Sequence, residues 1–131
     1  MRSVTHILLL TLAVLVASTG LVSAQDFSSI TRAMQAGNAK ELARQFDGTV
    51  EVTVVSSEAS HSKSQAEVVV RQFFSSNPVR SFSQVHTGSS DMGAKYQIGN
   101  LVTASGTFRT YVFIRQRSGA WYIQEVRFER D

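Results

Sequence analysis

The chain has no cysteine and only one proline. The lack of cysteine excludes disulfides, thiolate nucleophiles and thiolate zinc sites, so the fold must hold by burial alone. It also excludes a lipoprotein, whose processed N-terminus carries its lipid on cysteine. Charge of one sign is scarce too. Lys plus Arg number 13 against 10 Asp plus Glu, a net charge of +3. So small an excess argues against nucleic acid as a partner. No apolar run reaches the roughly 20 residues that span a bilayer.

What is present begins with a three-part leader. Arg2 is its early cation, residues 7–16 read ILLLTLAVLV without a charge, and Val22-Ser23-Ala24 puts small residues where a signal peptidase cuts. Residues 1–24 are therefore expected to be a cleaved signal peptide, and residues 25–131 a single exported domain. The destination is the periplasm or the exterior, with no membrane association after cleavage. Setting aside Arg2 leaves 12 Lys plus Arg against 10 acids, or +2. A domain of that length buries one core.

Periodicity predicts the elements. Asp26 can cap a first helix bearing Phe27, Ile30 and Met34 on one face, with Gly37 closing it. Asn38 and Glu41 form a capping-box pattern for a short second helix, which Asp47-Gly48 breaks. Residues 49–56 alternate as a half-buried strand. Residues 57–61 read as a polar connection. Ser62 with Gln65, or Ser64 with Glu67, caps a third helix whose apolar positions are Ala66, Val69, Val70 and Phe73. Asn77-Pro78 stops it. Four strands then follow, over residues 79–87, 95–104, 107–116 and 121–128, the second bent near Gly99-Asn100. The order is ααβαββββ. A meander of this length twists strongly and should curve around the helices as an antiparallel sheet, forming a cone.

Gly37-Asn38-Ala39, the Ser62–Ala66 helix start, Phe73-Phe74, His86-Thr87-Gly88, Tyr96–Gly99, Gly106–Arg109 and Val126–Glu129 carry a resemblance. The chain resembles an uncharacterised exported bacterial family, common in Bacteroidetes, within the nuclear transport factor 2-like superfamily. The resemblance spans almost all of residues 26–131. It implies the α+β, cystatin-like cone and brings no activity with it, because fold alone does not choose a function.

Candidate chemistry is sparse. His86 shares strand parity with Phe82 and Gln84, so if Phe82 faces the core, His86 does too. It could then act as acid or base in the cone, with Tyr96 or Glu125 as partner. A histidine near a strand end serves equally well to hold the Gly88 turn. An isomerase-type site needs a carboxylate base facing a phenol donor. The donors available are Tyr96, Tyr111 and Tyr122; the strand carboxylates are Glu51, Glu125 and Glu129. His61, His86 and Asp91 have no recognised ligand spacing, so neither a metal nor a cofactor is expected. Arg109, Tyr111, Phe113 and Arg115 share one strand face, which Arg127 can join. Guanidinium beside rings suits an anionic ligand, a carbohydrate or a protein surface, although arginine stems also cover rings on ordinary sheet faces. Phe108, Thr110, Val112 and Ile114 occupy the opposite parity, and either set could face the helices.

Three functions remain open on these residues. The first is a non-catalytic module binding a small apolar or anionic molecule in its cone, or a protein on its open sheet. The second is an isomerase or lyase centred on His86. The third is a homodimer formed through the sheet.

Overall fold

A computed structural model describes residues 27–90 and 92–131. The leader and its cleavage site, the Asp26 cap and the Asp91 ligand all lie outside the described residues. Helix α1 (Ser28–Ala36) buries Ile30, Ala33 and Met34. It ends at Gly37, whose φ of +60° lets its N–H, with that of Asn38, close the last carbonyls. Helix α2 (Ala39–Ala43) is capped by Asn38, whose Oδ1 accepts from the Glu41 N–H at 3.0 Å. After strands β1 (Phe46–Val54) and β2 (Ser57–Ser62) comes helix α3 (Lys63–Ser76). Ser62 Oγ caps it by accepting from the Gln65 N–H, and Asn77 closes its far end. Strands β3 (Val79–Ser90), β4 (Ala94–Thr103), β5 (Gly106–Arg117) and β6 (Ala120–Arg130) complete the chain. Among the described residues no helix is long and apolar enough to cross a membrane.

The α+β reading holds, with two corrections. Residues 57–61, expected as a connection, belong to β2, so the order is ααββαββββ. The strand was illegible because Ser57–Ser62 has no buried position and no apolar alternation. It pairs through its backbone to β1, from Val54↔Ser57 to Thr49↔Ser62. Nor is the sheet wholly antiparallel. Its order is β2-β1-β6-β5-β4-β3, and β1 runs parallel to β6. Connectivity explains this. Helix α3 carries the chain from β2 at one edge to β3 at the other, and such a crossover joins strands of the same direction. Three further reversals through β6, and one back to β1, leave those two neighbours parallel.

The side of the sheet facing the helices is filled. Phe73 stacks on Phe128 with ring centroids 4.1 Å apart and meets Phe108 edge-on at 5.0 Å. Leu101, Val112, Ile114, Ile123 and Val126 complete a dry layer against Val70, Met34 and Leu42. Polar residues enter it at Thr110 and at Gln97. Gln97 is fully buried and donates through Nε2 to Thr31 Oγ1 at 2.8 Å and to Gln84 Oε1 at 2.9 Å, joining α1 to β3 and β4.

Asp47-Gly48, expected as a break, lies inside β1 where its register against β6 shifts. The Asp47 carboxylate accepts from Gln124 Nε2 at 3.0 Å and from the Gly48 N–H at 2.7 Å, and pairs with Arg117 at 2.7 Å. The Gln124 bond above all, then Gly48 and Arg117, hold this carboxyl below its ordinary range despite the opposing effect of burial. Its stabilising effect is therefore complete above the ordinary carboxylate value of 3.8 and disappears as pH falls through the lower folded-state value. Asp47→Asn should cost about 1.5 kcal/mol at pH 6, mostly through the bond from Gln124. Urea midpoints of wild type and variant should draw together as pH falls below 3.8. A gap that stays constant over pH 2–6 would contradict this.

Candidate functional site

The candidate residues gather on the other face of the sheet, which no helix covers. In β5, Phe108, Thr110, Val112 and Ile114 are buried toward the helices, and this places Arg109, Tyr111, Phe113 and Arg115 on the open side. The cross-strand register extends that side. Tyr96 lies opposite Phe113, Ile98 opposite Tyr111, and Arg127 and Glu125 face Tyr111 and Phe113 from β6.

His86 is on this open face as well, contrary to the parity argument. Phe82 is buried and Gln84 reaches inward to Gln97, yet His86 bonds to Tyr96 on the outer side. A bulge causes the switch. Gln84 pairs with Gly99 and His86 with Ile98, so Val85 is an extra residue that reverses the parity of all that follows. The bend foreseen near Gly99 falls at this bulge.

One strip of side chains crosses four strands. His86 Nε2 lies 3.1 Å from the Tyr96 hydroxyl. Tyr96 stacks on Tyr111, with centroids 6.0 Å apart. The Arg127 guanidinium sits 5.2 Å above the Tyr111 ring, and its Nε donates to Glu125 Oε2 at 2.8 Å. Gly88 makes room at one end, since a Cβ there would run into the Tyr96 ring. Burial above all pushes the Tyr111 phenol up, with Glu125 adding and Arg127 opposing, so Tyr111 is a neutral hydrogen-bond donor at physiological pH. The bond to Glu125 raises Arg127 further, so its charge is permanent. Phe113 and Arg115 form a second pair at 5.4 Å, with Arg115 tethered to Gln124 and to the Met92 carbonyl.

Ile98, Arg109, Tyr111, Arg127 and Glu129 line a shallow depression of about 340 Å³ at the centre of the strip. A larger one, about 440 Å³, lies where α1, α2 and α3 meet, lined by Gly37–Lys40, Arg71 and Phe74. It contains none of the candidate residues, and Glu67 already pairs with its Arg71.

These positions bring His86 and Tyr96 together and separate both from Glu125. From β3 to β6 is three strand spacings, about 14 Å. A His86–Glu125 acid–base pair is therefore excluded, and His86 faces solvent on the side away from the filled cone. Glu125 instead joins Glu51 and Glu58, with one oxygen from each carboxylate lying within 4.8 Å of the others. Strand alternation already placed Glu51 and Thr53 on one face, but Glu58 was invisible once β2 had been read as a connection. Ile98 and Glu129 likewise emerge only from the pairing register.

Comparison with solved structures defines the class first. A protein from Nostoc punctiforme described as a domain of unknown function with a cystatin-like fold matches with a TM-score of 0.63 at 9% identity, over 79% of this chain and 72% of that one. A protein named Rd1NTF2_05, with five substitutions, matches with a TM-score of 0.61 at 17% identity, over 78% of this chain and 91% of that one. The fold is thus the NTF2-like, cystatin-like α+β cone. Residues 27–129 match the domain of unknown function DUF4783, and the chain belongs to that family. The DUF4783 protein of Bacteroides fragilis YCH46 is 31% identical with a TM-score of 0.75, covering 79% of this chain and 96% of its own. That of Bacteroides ovatus ATCC 8483 is 24% identical with a TM-score of 0.76, covering 79% and 94%. Among curated proteins there is no match.

Proposed function

We propose that the mature chain is an exported, non-catalytic binding module whose working surface is the open face of the sheet, where it takes an anionic group. The leader layout supports export. One observation carries the rest: Arg109, Tyr111 and Arg127 converge on one depression outside the cone, while aromatic side chains fill the cone itself. A guanidinium above a phenol, with an aliphatic Ile98 floor, suits a carboxylate or phosphate attached to a flat or apolar body. A small molecule could present that group, and so could a side chain of a protein.

The reading makes a measurable forecast. Phenyl phosphate should produce saturable amide shifts at Ile98, Arg109, Tyr111 and Arg127, with inorganic phosphate binding more weakly. Arg109→Glu should weaken binding at least about tenfold, the loss expected when a charge-assisted contact becomes repulsive. The shifts should shrink as salt is raised. Absence of saturation, or shifts gathered at the α1–α2 junction instead, would overturn the proposal. Light scattering on the same samples identifies the other occupant of this face: a dimer that Arg109→Glu dissociates would assign the surface to a second copy.

A further inference from the structure

At the far end of the same face the sheet carries a separate arrangement. Glu51 on β1, Glu58 on β2 and Glu125 on β6 place carboxylate oxygens within 4.8 Å of one another. Glu51 and Glu125 are cross-strand partners, and Glu58 lies two register pairs along on β2, opposite Thr53. Like charges directly opposite one another destabilise a sheet. Three carboxylates and the Arg127 guanidinium leave a local charge of −2.

Thr53 gives an independent sign of a missing partner. It lies two residues beyond Glu51 on the same strand face, directly between Glu58 on β2 and Arg127 on β6. Although this is the uncovered side of the sheet, Thr53 is only 7% exposed, and its Oγ1 is buried without a hydrogen-bond partner. A hydroxyl cut off from water in this way is destabilising unless something else engages it. Strand pairing thus sets Thr53 beside Glu51 and Glu58 on that face.

We propose that Glu51, Glu58 and Glu125, with the Thr53 hydroxyl, form a calcium site on the open face of the sheet. The donors are all hard oxygens, which exclude a preference for soft metals. Calcium binds oxygens at about 2.3–2.6 Å, so two ligands on opposite sides of one ion stand up to about 5 Å apart. The observed span fits calcium without moving the backbone. Magnesium, at about 2.0–2.1 Å in strict octahedral geometry, would require the carboxylates to draw closer together. Water completes the coordination shell on the solvent side. Arg127 holds Glu125 in place through Oε2 and links this site to the anion-binding strip, but the cation site does not depend on that strip.

The test is calorimetric titration of the purified protein with calcium chloride at low ionic strength, with magnesium chloride as control and thermal melts alongside. One calcium should bind per chain with a Kd of about 0.1–1 mM, the range of extracellular calcium modules. Tm should rise by roughly 5 °C at ten times Kd. Glu51→Gln and Glu58→Gln each remove a crowded surface charge. Both should keep the fold and weaken calcium at least tenfold. Thr53→Val preserves shape, deletes the hydroxyl and should weaken it about threefold. Arg109→Glu should leave calcium binding intact while weakening phenyl phosphate at least about tenfold, which separates the two sites. The proposal is overturned if no saturable heat appears by 10 mM calcium, if magnesium matches calcium throughout, or if both glutamine variants respond like wild type.

Discussion

Phe128→Ala is expected to destabilise the domain by about 3–5 kcal/mol, which is much of the stability available to a chain of this size. Phe128 is fully buried on β6, stacked beneath Phe73 and edge-on to Phe74. Its ring thus joins helix α3 to the strand that holds β1. Truncation removes the transfer free energy of the ring and leaves a cavity between two aromatic neighbours that cannot both collapse into it. The backbone around the cavity cannot follow easily, because β6 is hydrogen-bonded on both sides. Equilibrium urea unfolding followed by far-UV circular dichroism measures the loss. Phe128→Leu, which refills most of the space, should cost less than half as much. A loss under about 1 kcal/mol for the alanine variant would mean that the cone is loosely packed, and the case against an interior binding pocket would fail with it.

Gly99→Ala should also be costly, at about 2–3 kcal/mol, through overpacking. An added Cβ would run into the Phe82 ring, with Cε1 at 2.6 Å, and would stand 2.8 Å from the Ser83 carbonyl oxygen. A ring tip can turn away, but a strand carbonyl cannot move without disturbing the ladder. Gly88→Ala is the matched control. There the three nearest atoms all belong to the Tyr96 side chain, which can swing outward into solvent. Gly88→Ala should therefore keep most of its stability, and Gly99→Ala should lose it. Paired urea titrations decide the point: equal losses would show that the crowding at Gly99 is relieved as easily as that at Gly88.

The contrast between these two glycines indicates what could be read from the sequence. The helices and their ends were legible because each signal is local. Asn38, Ser62, Gly37 and Asn77 act on backbone groups a few residues away, and all four do what their position predicts. The meander was legible because buried and open positions alternate along β4 and β5. What failed was non-local or carried by backbone alone. Strand β2 contributes no side chain to the core, so no hydrophobic pattern could reveal it. The parallel β1–β6 pair follows from counting strand reversals, and a missed strand makes that count wrong. The placement of His86 failed for a third reason. Parity along a strand holds only until a bulge, and Val85 carries no conspicuous sequence mark.

The site divides along the same line. Arg109, Tyr111, Phe113 and Arg115 were identifiable as a set because they alternate on one strand, and Arg127 joins them through register. The grouping of Glu51, Glu58 and Glu125 draws on three strands, one of them unseen, so spacing along the chain held no trace of it.

The parallel pairing of β1 with β6 also has a consequence for the order of assembly. Glu51 and Glu125 are register partners 74 positions apart (125 less 51). While the polypeptide is being made, the β1–β2 hairpin must therefore wait, with one edge unsatisfied, until β6 has emerged. Closing so long a loop is slow, and in the meantime an open strand edge invites pairing with other chains. The polar face of β2 means that the waiting hairpin offers strangers little to hold.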